Sequence, residues 1–565
     1  MKPLSTFKIL VLVVALIATA HSVAQAQTTF KPKWEGSFGI DPSWIQSTSD
    51  DGKYVVGTNK KEVSVLDGET GKPMWSGKFL DIAGIKEANV QSFESGANVL
   101  FLVDKKGGKD VLVCIDVKTG KQLWTNADYD EVDLGNMIYL PELNGFGITL
   151  KKGLAMLDLQ TGKEKWTING FMGGVARYMY LADSKELLLL NYNVNALKAL
   201  ASGLENQFYC VNGETGTLKW KATFQGAVEI KRYASGSFSF FDWATVGAQK
   251  GIGSSNVLVD FYVIKDKIFL VMNGLTVYNL KTGAEIWNVH YDVSLNRGMG
   301  GSAQLYGAVA DPLVTDKYVY VADFSSTSRA KVIRKYDIET GKQLWETPVE
   351  GRKIIIPNLY EDNGVLVTQI GGYVNKQGSE SSSSGTTYYS KWEWQGPFGL
   401  KGFDAETGKL LWETEKFDDR ITNAVIADGK VYVADASMLN AFDPKTGANA
   451  WQVETKPAKT GGSQFLLKDG GNIVSLGEKG IASFAASNGK MNYGNKTDDV
   501  SVSNSGFYDK NYFLATDDGI AGMNLSNGTV KGMYEYTKGF KYKIIDSGES
   551  LFQLGEKKVV RYSVN

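Results

Sequence analysis

The sequence predicts an all-β protein, a β-propeller of about eleven four-stranded blades. Three observations carry that expectation. A nine-residue segment recurs in fixed register along the chain. Each copy sits in a unit of roughly forty residues that reads as four short strands. Glycine is abundant at 63 residues, proline is scarce at 11 and aromatics make up 12%. That balance suits many short strands joined by tight turns.

The segment first appears as Asp67-Gly68-Glu69-Thr70-Gly71-Lys72-Pro73-Met74-Trp75. It returns at 116–124, 158–166, 212–220, 279–287, 337–345, 404–412 and 443–451, with Asn212 and Asn279 replacing the leading Asp. Two weaker copies, 485–493 and 524–532, keep the turn and lose the indole. Each residue type has a physical task. The apolar residue before the Asp, such as Leu66, Ile115 or Phe403, ends a strand facing the core between blades. The Asp or Asn accepts hydrogen bonds from the turn that follows. The Gly takes the left-handed conformation of a bulged hairpin. The Trp opens the next strand, packs on the neighbouring blade and is expected to give its N–H to a carbonyl there.

One unit shows the blade. Strands are expected over 422–427, 431–434, 438–442 and 448–453, with Asp428-Gly429-Lys430 as a turn. The last unit ends at Val559 to Asn565 with a third strand and no fourth. Phe30 to Trp34 reads as the missing strand, so the two ends are expected to complete one blade and close the ring. One large ring is the expected arrangement; two smaller propellers on one chain are the alternative.

The N-terminus reads as a secretory signal. Lys2 and Lys8 precede and flank the apolar run Ile9 to Ala18, and Ala24-Gln25-Ala26 is a small-x-small cleavage site. The run is shorter than the ~20 residues of a spanning helix. The expected location is periplasmic or secreted, with no membrane span and a monomeric chain. Net charge is −1, so no sequence-independent grip on nucleic acid is implied. Cys114 and Cys210 occupy the same register position in two non-neighbouring blades. They are expected to be buried free thiols, too far apart for the ~7 Å Cα limit of a disulfide. Only His21 and His290 are present, which leaves little for histidine-based metal or acid–base chemistry.

The run Asp-x-x-Thr-Gly-Lys-x-x-Trp, repeated at this spacing, resembles the PQQ-type (pyrroloquinoline quinone) propeller repeat over nearly the whole mature chain. The resemblance implies the propeller fold. It implies two sorts of activity: quinoprotein alcohol and glucose dehydrogenases, and non-catalytic members such as the outer-membrane assembly lipoprotein, which binds proteins. Quinoprotein alcohol dehydrogenases carry an adjacent cysteine pair, many a Cys-x-x-Cys-His haem site, and calcium ligands; this sequence has neither cysteine motif, and no Glu/Asn/Asp set matches. The expected function is a non-catalytic envelope scaffold with a protein or polysaccharide partner and no cofactor. The alternative is a quinone-dependent dehydrogenase using PQQ with calcium in the channel. No residue is assigned a catalytic, cofactor or metal role.

Candidate binding residues come from departures from the bare blade, since loops on a rigid scaffold carry binding. Insertions fall near 191–206, with a short helix expected at 196–204, and near 234–255 and 371–399. The second holds Trp243. The third holds a flexible-looking Gly378 to Gly385 run, then Tyr388, Trp392 and Trp394. Exposed aromatics there suit a protein or sugar face. Arg177, Arg232, Arg297, Arg352 and Arg420 each follow a repeat Trp by seven to twelve residues. They are expected near one rim, where guanidinium groups attract an anion. Asp292, Glu350, Asp418 and Asp419 supply opposing charge in the same loops.

Overall fold

A computed structural model of the chain describes residues 30–563 except 107–108, 151–152, 172, 193–204, 226, 229–256, 259, 273, 292–293, 298–302, 307, 324–330, 351–353, 383–384, 463–464, 478, 497–506, 509–512, 516–518, 536–539 and 546–549. It contains eleven antiparallel blades. Ten are four-stranded sheets; the eleventh lies within a six-stranded sheet. In chain order the blades occupy 45–78, 90–126, 133–169, 174–225, 260–289, 313–348, 358–413, 424–454, 465–496, 507–535 and 541–563. The last gains its fourth strand from Lys31–Gly36, which pairs with Val559–Ser563. Helix is nearly absent among the described residues: one short α-helix, Phe79–Ala83, links blades 1 and 2. None of those residues forms a helix long and apolar enough to cross a membrane.

The repeat builds the turn between the third and fourth strands of each blade. Asp67 Oδ1 accepts the Thr70 N–H at 2.7 Å and the Thr70 hydroxyl at 2.7 Å. Gly71 N–H closes back on the Asp67 carbonyl, also at 2.7 Å. Asn212 and Asn279 make the same bonds through their amide oxygens. At Asp337 and Asp404 the Thr hydroxyl is the main cause holding the carboxyl below its ordinary range. At Asp443 the Thr446 backbone N–H leads.

The indole that follows reaches the next blade. Trp75 Nε1 donates to Val117 O at 2.7 Å, Trp166 to Gly213 O at 2.8 Å and Trp412 to Pro444 O at 2.7 Å. Its ring lies on the turn glycine of that blade. Gly162 has φ +66°, and a Cβ there would come within 2.3 Å of the Trp124 ring. That glycine is therefore required twice, by backbone conformation and by the ring on its face.

Apolar clusters fill the seams in chain order: blade 1 to 2, 2 to 3, 3 to 4, 4 to 5, 5 to 6, 6 to 7, 7 to 8, 8 to 9 and 9 to 10. A further cluster joins blade 11 to blade 1 through Trp34, Phe552, Val55 and Leu66. Ten of the eleven seams are filled among the described residues, in the order of one large ring rather than two small ones. Arg561, in the last blade, donates to Gly68 O at 2.7 Å and pairs with Glu69 at 2.6 Å. Cys114 and Cys210 are free and buried in blades 2 and 4. Each stands opposite its blade's Trp in the ladder. Burial pushes the Cys210 thiol up to about 12 and the Cys114 thiol further still.

Candidate functional site

Within each blade the strands alternate in direction. Turns joining strands 1 to 2 and 3 to 4 therefore emerge at one end of the ring, the turn face. Connections joining strands 2 to 3, and links from one blade to the next, emerge at the other, the link face. Connections on the turn face never exceed six residues. On the link face the longest intervals gather at blades 4 to 7. They are 193–204, 226–259 and 290–312, with 324–331 shorter and the 365–404 hairpin the largest.

That hairpin consists of strands Val365–Ser382 and Gly385–Asp404, paired from Val365↔Asp404 to Ser382↔Gly385. The Gly378 to Gly385 run, expected to be a flexible loop, is the tip of a continuous ladder. Period-two placement of Tyr388, Trp392 and Trp394 is the strand signal that the serine-rich composition masked. Two further strands join it. Ala303–Tyr306 pairs with Asn375 to Gly378, and Ser294–Arg297 pairs with Ala303–Tyr306. Both come from the link between blades 5 and 6. An accessory sheet of four strands thus rises from the link face.

Its base is fixed by a bulge between Ile370 and Gly372. Gly371 adopts φ +77°, and a Cβ there would sit 2.3 Å from Pro397 O. Its N–H donates to Ile355 O at 3.1 Å. Buried Gln369 donates to Gly371 O at 3.0 Å and Thr422 O at 3.2 Å, tying the bulge to the link into blade 8. Above the bulge lie Tyr373, Trp394 and Phe398, all half-buried. Tyr373 and Trp394 have ring centroids 4.6 Å apart, and Trp394 meets Phe398 edge-on at 6.4 Å. Arg420 holds its guanidinium 5.6 Å from the Trp394 ring centroid, a cation–π contact.

Two of the sequence candidates meet here, Trp394 and Arg420. Tyr388 and Trp392 occupy ladder positions opposite Ser379 and Asn375. Arg297 ends the outermost strand of the accessory sheet. Arg177 is elsewhere: it is buried in strand Gly174–Leu181 of blade 4 and donates through Nη1 to Ala176 O at 2.7 Å. That placement does not present its charge at a rim. Arg232, Arg352, Trp243, the helix expected at 196–204 and the signal segment lie outside the described residues. Tyr373 and Phe398 were not singled out from the sequence. Tyr373 lies in a strand whose partner begins about a dozen residues later, so only the pairing reveals it.

Quinone chemistry would need calcium ligands gathered in the ring. Among the described residues no three His, Cys, Asp or Glu side chains cluster to hold a metal. The two thiols stand in separate blades.

Comparison with known proteins gives the family. Residues 20–174, 271–381 and 376–492 match the family model described as outer membrane protein assembly factor BamB. A curated relative, tetrathionate hydrolase of Acidithiobacillus ferrooxidans, is 24% identical over 305 residues. That match takes in 51% of this chain and 48% of the relative, so the chain spans about half of that protein's length. Among solved structures, BamB from Moraxella catarrhalis is similar at 13% identity and TM-score 0.25, covering 80% of this chain and 97% of that one. Quinohemoprotein alcohol dehydrogenase ADHIIG from Pseudomonas putida HK5 is similar at 12% identity and TM-score 0.28, covering 82% and 73%. The repeats, the eleven blades and the family match together make this chain a member of the BamB-like PQQ-repeat propeller family.

Proposed function

We propose that this protein is a non-catalytic scaffold of the cell envelope that binds a protein or polymer partner through the link face of blades 4 to 7. The observation that carries the reading is the asymmetry of the ring. Turns on one face span two to six residues, whereas one sector of the other face carries the longest connections and a sheet of its own. Rigid blades hold that sheet, which is how a scaffold displays a binding surface. The family description, an outer-membrane assembly factor, supports an envelope location and a protein or polymer partner.

The test is recovery of partners from envelope extract by the purified chain and by a variant lacking 376–391. The deletion spares Val374 and Trp394 at the packed base. Loss of recovery with an unchanged melting temperature is the expected result; undiminished recovery overturns the reading. Titration with micromolar PQQ and calcium is expected to give no quinone absorbance band, and saturable uptake would favour the dehydrogenase alternative.

A further inference from the structure

We propose that the seam between blades 11 and 1 is a salt-sensitive latch. The ring opens there while the strand Lys31–Gly36 stays in the last blade and residues 37–44 act as the tether. This goes beyond the scaffold reading and does not depend on it.

The seams that follow are apolar. Those of blades 1 to 2, 2 to 3 and 3 to 4 each bury a cluster of twelve apolar residues. The cluster at the closing seam holds seven. The ladders show what stands in place of the rest. In six blades the residue opposite the seam indole is small or apolar: Val65, Cys114, Met156, Cys210, Val277 and Ala441. In the last blade it is Arg561, which is buried. Lys335 in blade 6 is a second cation at this position, but its seam buries sixteen apolar residues. On the blade 1 side, ladder register puts Thr48 and Ser64 on the side of Val55 and Leu66. Both hydroxyls are buried and find no hydrogen-bond partner among the described residues, which weakens the closed seam.

Ionic contacts take over where apolar burial is thin. Glu69 lies between two cations of the last blade, Arg561 at 2.6 Å and Lys33 at 2.8 Å. Lys543 crosses the same seam to Asp50 at 3.0 Å and to Thr48 O at 2.8 Å. These cations sit on the third, fourth and first strands of blade 11, so the charges span the width of the seam. Lys33 and then Arg561 hold the Glu69 carboxyl below its ordinary range, which keeps it charged between them. An open cavity of about 600 Å³, lined in part by Lys33, Lys53, Glu69 and Arg561, brings water and ions to the network. Asp50 and Glu69 are themselves more than half exposed. Charges so placed are screened, since the Debye length falls from about 30 Å at 10 mM salt to about 3 Å at 1 M. Screening does not act on apolar contacts, so salt loosens this seam ahead of its neighbours.

The parting line follows from the same contacts. Hydrogen bonds between Lys31–Gly36 and Val559–Ser563 are internal to blade 11 and need not break. Residues 37–44 then carry the connection to blade 1. Eight residues reach at most about 26–29 Å when extended, which limits the opening. Phe38 leaves its seat on Gly57, where an added Cβ would lie 2.6 Å from its ring.

The experiment is pulsed electron-spin distance measurement on the full chain. Spin labels go on Lys60→Cys and Glu556→Cys, exposed positions on the link face of blades 1 and 11. Lys60→Cys with Lys105→Cys spans the next seam as control, and Cys114 and Cys210 are buried. Raising NaCl from 10 mM to 1 M should enlarge a population displaced by 10 Å or more across 60/556 at least threefold. The 60/105 distribution should stay unchanged. Glu69→Gln should enlarge the displaced population at least twofold at low salt. Asp50→Asn, which releases Lys543, serves the same purpose if Glu69→Gln does not fold. Glu35→Gln breaks the Lys558 pair inside blade 11 and should have no effect. A 60/556 distribution indifferent to salt, an equal response at both seams, or Glu35→Gln acting as strongly as the seam variants overturns the proposal.

Discussion

The turn face and the link face are ends of the same strands, yet they obey different constraints. On the turn face the Asp-x-x-Thr-Gly hydrogen bonds repeat from blade to blade with little change in distance. Each turn also receives an aromatic ring from the preceding blade, an indole at all but the 524–528 turn, where it is Tyr493, so a change there disturbs two blades at once. On the link face of blades 4 to 7 the connections differ widely in length. The lesson is that the seams are held from one end. The other end is left free to differ, and that freedom is what allowed an accessory sheet to be built.

The comparison can be broken in several places. Trp166→Ala, which removes a seam indole bonded to Gly213 O, should destabilise by about 3–5 kcal/mol. Trp166→Phe keeps most of the ring and loses the N–H bond, so about 1–2 kcal/mol is expected. Denaturant midpoints measure both. Gly162→Ala on the turn face adds a steric conflict with Trp124 to the conformational cost, about 2–4 kcal/mol in total. Gly170→Ala is its control on the link face: φ is +79° there, but nothing lies within 4 Å of the added Cβ. About 1–2 kcal/mol is expected from conformation alone. Equal losses at the two sites would show that the ring contact is not what fixes the turn glycine.

Acid sharpens the same contrast. Asp337, Asp404 and Asp443 have carboxyl groups held low in the folded ring. A lowered folded value means that their stabilisation is complete above the ordinary carboxylate range. It is lost as pH falls through the lowered values, below about pH 4. The denaturation midpoint should therefore drop between pH 5 and pH 3. The triple variant D337N/D404N/D443N should show a smaller drop, since Asn212 and Asn279 already make the same turn without a titrating group. The smallest effect on stability belongs to the link face. Removing 376–391 should leave the melting temperature within a few degrees of the parent, because its packed base remains.

The ring was legible in the sequence because its chemistry is local and periodic. Asp, Thr, Gly and Trp act within nine residues, and each copy repeats the same arrangement. The closing strand was legible too, as a unit short of one strand at one end and a spare strand at the other. The accessory sheet was not. Ala303–Tyr306 meets its partner about 70 residues away, with no repeat to mark the register. The five arginines look equivalent when counted from the preceding Trp, but the links differ in length. Arg177 falls inside a strand and is buried, whereas Arg420 reaches an indole. Counting along a link fixes no direction in space.

Closure between Lys31–Gly36 and Val559–Ser563 has a consequence for how the molecule is made. Lys558 and Glu35 form an ion pair across 523 positions of sequence. A growing chain therefore carries an unzipped strand through almost the whole of its synthesis, and bare strands are templates for aggregation. Fragments arrested upstream of residue 559 have no means of covering it. They should be cleared or lost to inclusion material, which makes completeness of the polypeptide a condition for a soluble product.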